Sequence, residues 1–218
     1  MEALLSFGKF MLVVIAVATV ASPFIVERRN YQFIWSVWRR FRVKMFFECL
    51  TLIALTILTV VLLWQIPGLS WGWTSLFSDT GGNILLKSVY QGSKSSNEMI
   101  RLLVVVFFIA LAIALPFFAK NEEEVFRKGV TEWDDISVMS IKFGLVHCLF
   151  GVPFAAGIAL ILSGLFYGLK YKRTFDINVK VMGHQKAEDE AVMVSTTYHA
   201  MYNTIVIATM LFILISAV

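Results

Sequence analysis

The stretch Met99–Arg127 shows what class of protein this is. It reads M-I-R-L-L-V-V-V-F-F-I-A-L-A-I-A-L-P-F-F-A, followed by K-N-E-E-E-V-F-R. The first part has the length, about 20 residues, that a helix needs to cross roughly 30 Å of hydrocarbon. The second part places three consecutive carboxylates at its edge, where charge is costly to hold beside lipid. A transmembrane helix with an acidic end is therefore predicted here.

The whole chain has the composition of an integral membrane protein. Of its 218 residues 58% are hydrophobic and only 16% are charged, and the mean hydropathy is +0.76. Soluble domains rarely combine so much apolar material with so little charge. We expect an all-α fold, a polytopic transmembrane helical bundle of about six spans. The predicted spans are Leu4–Val26, Met45–Ile66, Met99–Ala119, Ile136–Gly151, Pro153–Leu169 and Ala191–Val218.

The segments between these spans differ in character. Residues 120–135 form a short polar passage that could be re-entrant, and Lys170–Glu190 is predicted to be a hydrophilic loop. Pro67–Asn97 is a polar loop in which Asn83–Tyr90 could form a short surface helix. The first span could instead be a cleaved signal peptide, but Arg28 and Arg29 after it favour a retained helix. In Asn30–Lys44, tryptophans alternate with arginines, which is typical of the lipid headgroup region and argues against nucleic acid as a partner.

Basic residues predict the orientation of the bundle. They concentrate between spans one and two, three and four, and five and six, and few lie on the other side. The positive-inside rule then places both termini outside and the acidic passage in the cytoplasm. The compact length favours a prokaryotic plasma membrane. Cys49 and Cys148 lie in apolar segments and suggest neither a disulfide nor a metal–thiolate site.

Two histidines, His147 and His199, lie inside hydrophobic segments, where ionisable groups usually face the bundle interior. Asn203 follows His199 by four residues, so the two side chains share one face of a helix. Phe143 and His147 have the same spacing, as have Glu123 and Arg127. Each pair also has a purely structural explanation, such as interhelical packing or a surface ion pair. Together they supply a base for water, a group to position it and donors for an oxyanion.

These motifs resemble the three-part signature of the CPBP (Abi) intramembrane proteases, which include the type II CAAX prenyl endopeptidases. The matching elements are Glu122-Glu123-x-x-x-Arg127, Phe143-x-x-x-His147 and His199-x-x-x-Asn203. On this resemblance, residues 99–218 are a CPBP-like catalytic membrane domain. Residues 1–98 add two N-terminal spans and a loop within a single structural unit.

The resemblance also implies roles for individual residues. Glu122 would activate the attacking water, and His147 would help to hold it. His199 and Asn203 would stabilise the oxyanion. Glu123 and Arg127 would support Glu122, and Phe143 would pack beside the site. The substrate would be a membrane-associated or lipidated peptide in contact with membrane lipids.

The resemblance implies a glutamic-type protease without a cofactor or metal. A carboxylate with two histidines could also bind zinc, so a metalloprotease remains an alternative. A non-catalytic CPBP-like factor that binds a peptide, as in bacteriocin self-immunity, is a second alternative. A small transporter that uses the histidines as a proton relay is a third.

Glu122 and His147 must lie at the same depth in the membrane if they are to share one water. If the fourth span begins near Asp135, His147 lies about 18 Å further along its axis, whereas Glu122 lies near the membrane edge. We therefore expect Glu122 to be drawn inward on a re-entrant or kinked turn after Pro116. Carboxylate oxygens of Glu122 more than about 8 Å from both histidines would contradict the assignment.

Overall fold

The computed structural model describes residues 14–15, 17–25, 28–73 and 98–216, and all regular secondary structure in this part of the chain is helical. Residues 14–15 and 17–25 are helical. The predicted all-α class is therefore confirmed. The helices that follow are α1 Arg28–Arg39, α2 Val43–Trp64, α3 Glu98–Phe126, α4 Trp133–Leu149, α5 Phe154–Met182 and α6 His184–Ser216.

Three of the described helical segments are long and apolar enough to cross a membrane: Val43–Trp64, Leu102–Phe126 and Phe154–Met182. These match the predicted second, third and fifth spans and are compatible with a membrane protein. Helix α4 has 17 residues, about 26 Å at 1.5 Å per residue. The first predicted span lies partly, and the predicted helix Asn83–Tyr90 wholly, outside the described residues.

Two polar segments differ from the prediction. Residues 120–126 are not an irregular re-entrant passage but the last part of α3, which passes through Pro116 and ends at Phe126. Lysine and glutamate are good helix formers, so the helix continues into the polar stretch. The chain then turns at Gly129, whose φ of +79° suits glycine at a helix C-terminus.

The predicted loop Lys170–Glu190 is helical as well. Helix α5 continues to Met182, and α6 begins at His184. Gly183 alone separates them, with a φ of +80°. Polarity did not predict where these helices end.

Small residues bring α4 and α5 into close contact. A Cβ on Gly144 would lie 2.5 Å from the carbonyl oxygen of Gly157, and one on Gly164 would lie 3.0 Å from the carbonyl oxygen of Ser140. Gly168 faces the side chain of Ile136 in the same seam. Gly164 and Gly168 form a G-x-x-x-G pattern, which permits such close approach of two helices.

Candidate active site

Helices α3, α4 and α6 bring the predicted residues together at one place in the bundle. Glu122 and Glu123 lie in the last two turns of α3, His147 lies near the end of α4, and His199 lies in the middle of α6. Phe143 of α4 is buried between them. Motifs separated by up to 80 residues thus form one cluster.

One carboxylate oxygen of Glu122 faces both imidazoles. Its Oε2 atom lies 3.9 Å from Nε2 of His199 and 4.0 Å from Nε2 of His147. These distances are too long for direct hydrogen bonds. Atoms about 4 Å apart can, however, both lie about 2.8 Å from a single water oxygen between them. The Glu122 oxygen therefore lies within the distance of about 8 Å from the histidines that its assignment as the base requires.

The difference in depth is removed by two local features. Because α3 stays helical to Phe126, Glu122 lies about 6 Å inside its end. Side chains on a helix point back toward its N-terminus, and His147 does so strongly, since its Nδ1 lies 2.7 Å from the carbonyl oxygen of Phe143. The imidazole therefore reaches back along α4 toward Glu122, and no re-entrant turn is needed.

Each histidine is held in one orientation through its Nδ1 atom. A carbonyl oxygen can only accept, so Nδ1 of His147 carries the hydrogen and donates it to Phe143. Nδ1 of His199 donates to Oε1 of Glu123 at 2.9 Å. In both cases the Nε2 atom is left facing Glu122. A partner on one ring nitrogen fixes the tautomer and so the chemistry of the other.

Glu123 and Arg127 form a fully buried pair beneath His199. Nε of Arg127 lies 3.6 Å from Oε2 of Glu123, and neither side chain is exposed. Burial lowers the pKa of the Arg127 guanidinium, and the Glu123 carboxylate opposes that effect. Arginine stays charged in proteins, so the pair is ionic. The resemblance implies that Glu123 supports Glu122, but the structure places Glu123 against His199 instead.

Aromatic rings enclose the polar groups. The ring of Phe143 lies 4.9 Å from that of His147 and 5.5 Å from that of His199, and the Arg127 guanidinium lies 5.4 Å from its centroid. Tyr167 of α5 stacks on His199, with centroids 4.6 Å apart and ring planes 18° apart. Sequence reasoning missed Tyr167, because a tyrosine in an apolar span carries no spacing signal.

Unpartnered buried polar atoms concentrate at this cluster. Among the described residues, six buried side-chain nitrogen or oxygen atoms have no hydrogen-bond partner. They belong to Glu122, Glu123, Arg127, Tyr167 and Thr196, the last of which precedes His199 by three residues in α6. Native proteins leave few such atoms unpaired, and those that are unpaired need an explanation. Oε2 of Glu123 and Nε of Arg127 face each other at 3.6 Å. The unpaired oxygens of Glu122 and Tyr167 beside His199 indicate a place that receives a polar ligand.

Two predicted neighbours have simpler positions. Asn203 lies one turn after His199 and is half-buried, and no hydrogen bond or ion pair among the described residues involves its side chain. Glu124 points away from the cluster and pairs with Lys120 at 3.1 Å. Within the described ranges, no group of three His, Cys, Asp or Glu side chains is arranged to hold a metal ion.

A second polar cluster lies beside the site and was not predicted. Oε2 of Glu48 in α2 accepts from Nζ of Lys170 at 2.9 Å and from the hydroxyl of Tyr198 at 2.6 Å. The Glu48 carboxylate therefore links α2 to α5 and α6 next to His199. The sequence signal was present, since Glu48 and Lys170 are charged residues at the edges of apolar spans.

No protein-family model, curated protein or solved structure matches this chain. The resemblance to CPBP proteases stays a prediction from motifs, and the functional argument depends on the geometry.

Proposed function

We propose that this protein is an intramembrane endopeptidase of CPBP type, which hydrolyses a peptide bond with a water activated by glutamate. One observation carries the proposal. A single oxygen of Glu122 lies 3.9 and 4.0 Å from two Nε2 atoms, and both imidazoles are fixed through Nδ1. This arrangement can hold one water between a base and two positioning groups.

The mechanism follows from these positions. Glu122 takes a proton from the water while the water oxygen attacks the scissile carbonyl carbon. Glu122 then gives this proton to the leaving nitrogen as the carbon–nitrogen bond breaks. His147 positions the water through Nε2. His199 and Asn203 donate to the oxyanion, and the carboxylate of Glu123 stabilises the charged form of His199 that such donation requires.

The charges of the cluster fit this scheme. With His199 protonated, two cations, His199 and Arg127, balance two carboxylates, Glu122 and Glu123. A balanced set is needed because isolated charges are expensive away from water. Arg127 thus allows the site to hold two carboxylates side by side.

We propose the same membrane arrangement that the sequence predicts. About six helices cross a prokaryotic plasma membrane, both termini lie outside, and residues 99–218 form the catalytic domain. The site opens toward the cytoplasm. Glu122 has 37% and His147 has 24% of its side chain exposed, so a peptide can approach them, while Oε2 of Glu122, which faces the imidazoles, is buried. A lipid-adjacent site of this kind suits a membrane-associated or lipidated peptide.

Comparative peptidomics of membranes tests the function. We compare membranes that contain the wild-type protein, Glu122→Gln or Glu124→Gln, which are isosteric changes at neighbouring positions of α3. We expect a cleaved peptide with wild type and with Glu124→Gln, and none with Glu122→Gln, since the amide is not a base. Unchanged cleavage with Glu122→Gln contradicts the proposal.

Chelation separates the glutamic mechanism from the zinc alternative. The purified enzyme is assayed in detergent with a synthetic copy of the cleaved peptide, before and after treatment with phenanthroline. The water-on-glutamate mechanism predicts unchanged activity. Loss of activity that added Zn²⁺ restores would instead make Glu122, His147 and His199 metal ligands.

A further inference from the structure

The buried hydroxyl of Tyr167 has no role in the mechanism described so far. Tyr167 is 1% exposed, and its hydroxyl oxygen has no hydrogen-bond partner among the described residues. A buried donor without a partner destabilises the folded state. Phenylalanine would fill the same space without that cost, so the hydroxyl needs an explanation.

The position of the ring places the hydroxyl near His199. Tyr167 stacks almost parallel on His199, and its edge contacts lie against Phe143 and Tyr202. A phenol oxygen lies one bond beyond its ring, so this hydroxyl cannot be far from the imidazole that faces Glu122. It interacts electrostatically with Tyr202 and Cys49 and, less strongly, with the carboxylates of Glu123 and Glu122.

We infer that the Tyr167 hydroxyl is a further catalytic donor, which hydrogen-bonds the oxyanion formed from the scissile carbonyl. This inference rests on the proposed function. Its physical basis is that a donor without a protein partner is preorganised for charge that develops only in the transition state. The stability lost by leaving the hydroxyl unpaired is the kind of trade-off that active sites show.

The neighbouring Tyr171 provides a matched control. It lies one turn further along α5 and is fully buried, and its hydroxyl accepts a hydrogen bond from the backbone N–H of Gly129 at 3.3 Å. Two buried tyrosines on the same face of one helix therefore differ in the bonding of their hydroxyls. Among the described residues, Tyr171 has a structural partner for its hydroxyl and Tyr167 has none.

The experiment compares Tyr167→Phe with Tyr171→Phe in the full-length protein. Kinetics are measured in detergent with the synthetic copy of the peptide that wild type cleaves, and melting temperatures are measured by tryptophan fluorescence. For Tyr167→Phe we expect kcat to fall about 10²–10³-fold, with KM nearly unchanged and the melting temperature equal to wild type or higher. For Tyr171→Phe we expect a lower melting temperature and an unchanged kcat.

A phosphinate analogue of the same peptide gives a readout that does not depend on turnover. Its tetrahedral oxygens mimic the oxyanion, so its inhibition constant should rise for Tyr167→Phe by the factor by which kcat/KM falls. An unchanged kcat, or a lower melting temperature with unchanged phosphinate inhibition, overturns the inference. Activity that persists in Glu122→Gln would overturn the proposed function itself, so the two failures are distinguishable.

Discussion

Three consecutive glutamates of α3 lie in three different environments. Successive residues on a helix point about 100° apart. Glu123 therefore points into the bundle and is fully buried, Glu122 points to the partly exposed site, and Glu124 points to the surface beside Lys120. The same chemical group is thus a base, an orienting group or a surface charge according to the direction in which it points.

The buried pair Glu123–Arg127 should matter far more for stability than the exposed pair Lys120–Glu124. Both are i,i+4 pairs at the C-terminal end of α3. We expect Arg127→Met to lower the free energy of unfolding by about 3–5 kcal/mol, because it leaves a buried carboxylate without its cation. Lys120→Met should change it by less than about 1 kcal/mol. Unfolding in detergent, followed by tryptophan fluorescence, measures both.

The double variant Glu123→Leu/Arg127→Met tests whether the unpaired buried carboxylate causes this loss of stability. With no buried charge left unpaired, it should regain most of the stability that Arg127→Met loses. Its activity should stay low, since Nδ1 of His199 has lost its acceptor. A double variant that is as unstable as the sum of its single variants would show that the pair itself holds the helices together.

At the scale of single residues, the i,i+4 spacing in the sequence predicted which polar side chains lie on the same face of a helix. The i,i+4 intervals identified His147, His199 and Arg127, because a helix puts such residues on one face. Spacing within one helix could not show which groups of other helices they meet. The partner of Glu123 is therefore His199 rather than Glu122, and the Tyr167 ring over His199 was not foreseen.

At the scale of elements, the seam between α4 and α5 sets the position of two site residues. Gly144 lies directly after Phe143 and one turn before His147, and it contacts the backbone of α5. Any increase in the distance between α4 and α5 at this point must move both side chains. The glycine seam thus links packing to the site.

Gly144→Ala should separate α4 from α5 and reduce activity. Its Cβ would lie 2.5 Å from the Gly157 carbonyl oxygen, a backbone atom that cannot turn aside. We expect a loss of stability of about 1–3 kcal/mol and a fall in kcat of about 10²-fold from displacement of His147 by roughly 1 Å. Kinetics and thermal unfolding of the purified variant check both values.

Gly164→Ala in the same seam is the control. Its Cβ would lie 3.0 Å from the carbonyl oxygen of Ser140, so the helices need to separate there by only a few tenths of an ångström, and Gly164 adjoins no residue of the site in sequence. Its effect on kcat should therefore be smaller than that of Gly144→Ala. An equal fall in kcat in both variants would mean that the seam transmits any displacement along α4, not only one beside His147.

Element boundaries show where sequence reasoning stops. Hydropathy predicts spans because it measures transfer into lipid, but it contains no term for helix formation in water. Lys170–Glu190 therefore looked like a loop, although its lysines, its glutamates and Ala187 favour a helix. The one residue that interrupts the helix, Gly183, adopts a positive φ that most other residues avoid.

At the scale of the whole molecule, the two ends of the bundle differ in charge. At one end of the bundle, the segment that follows α2 contacts the α4–α5 turn. There the backbone N–H groups of Phe154 and Ala155 donate to the carbonyl oxygens of Trp71 and Leu69. Residues 60–73 and 145–160 contain no lysine or arginine. The opposite end holds the basic residues Arg39, Arg40, Arg42, Lys44, Lys120, Lys128, Lys170, Lys172, Arg173, Lys180 and Lys186.

This asymmetry predicts the orientation of the protein, which labelling of single cysteines can measure. In a background of Cys49→Ala and Cys148→Ala, one variant carries Gln185→Cys, just after the α5–α6 turn, and another carries Gln65→Cys at the end of α2; both positions are exposed. Because lysine and arginine stay on the cytoplasmic side, a membrane-impermeant maleimide should label Gln65→Cys in intact cells. It should label Gln185→Cys only after the membrane is permeabilised, and it should never label the cysteine-free parent. The reverse pattern would place the basic end outside, so that the Glu122 site would meet its peptides from the extracellular side.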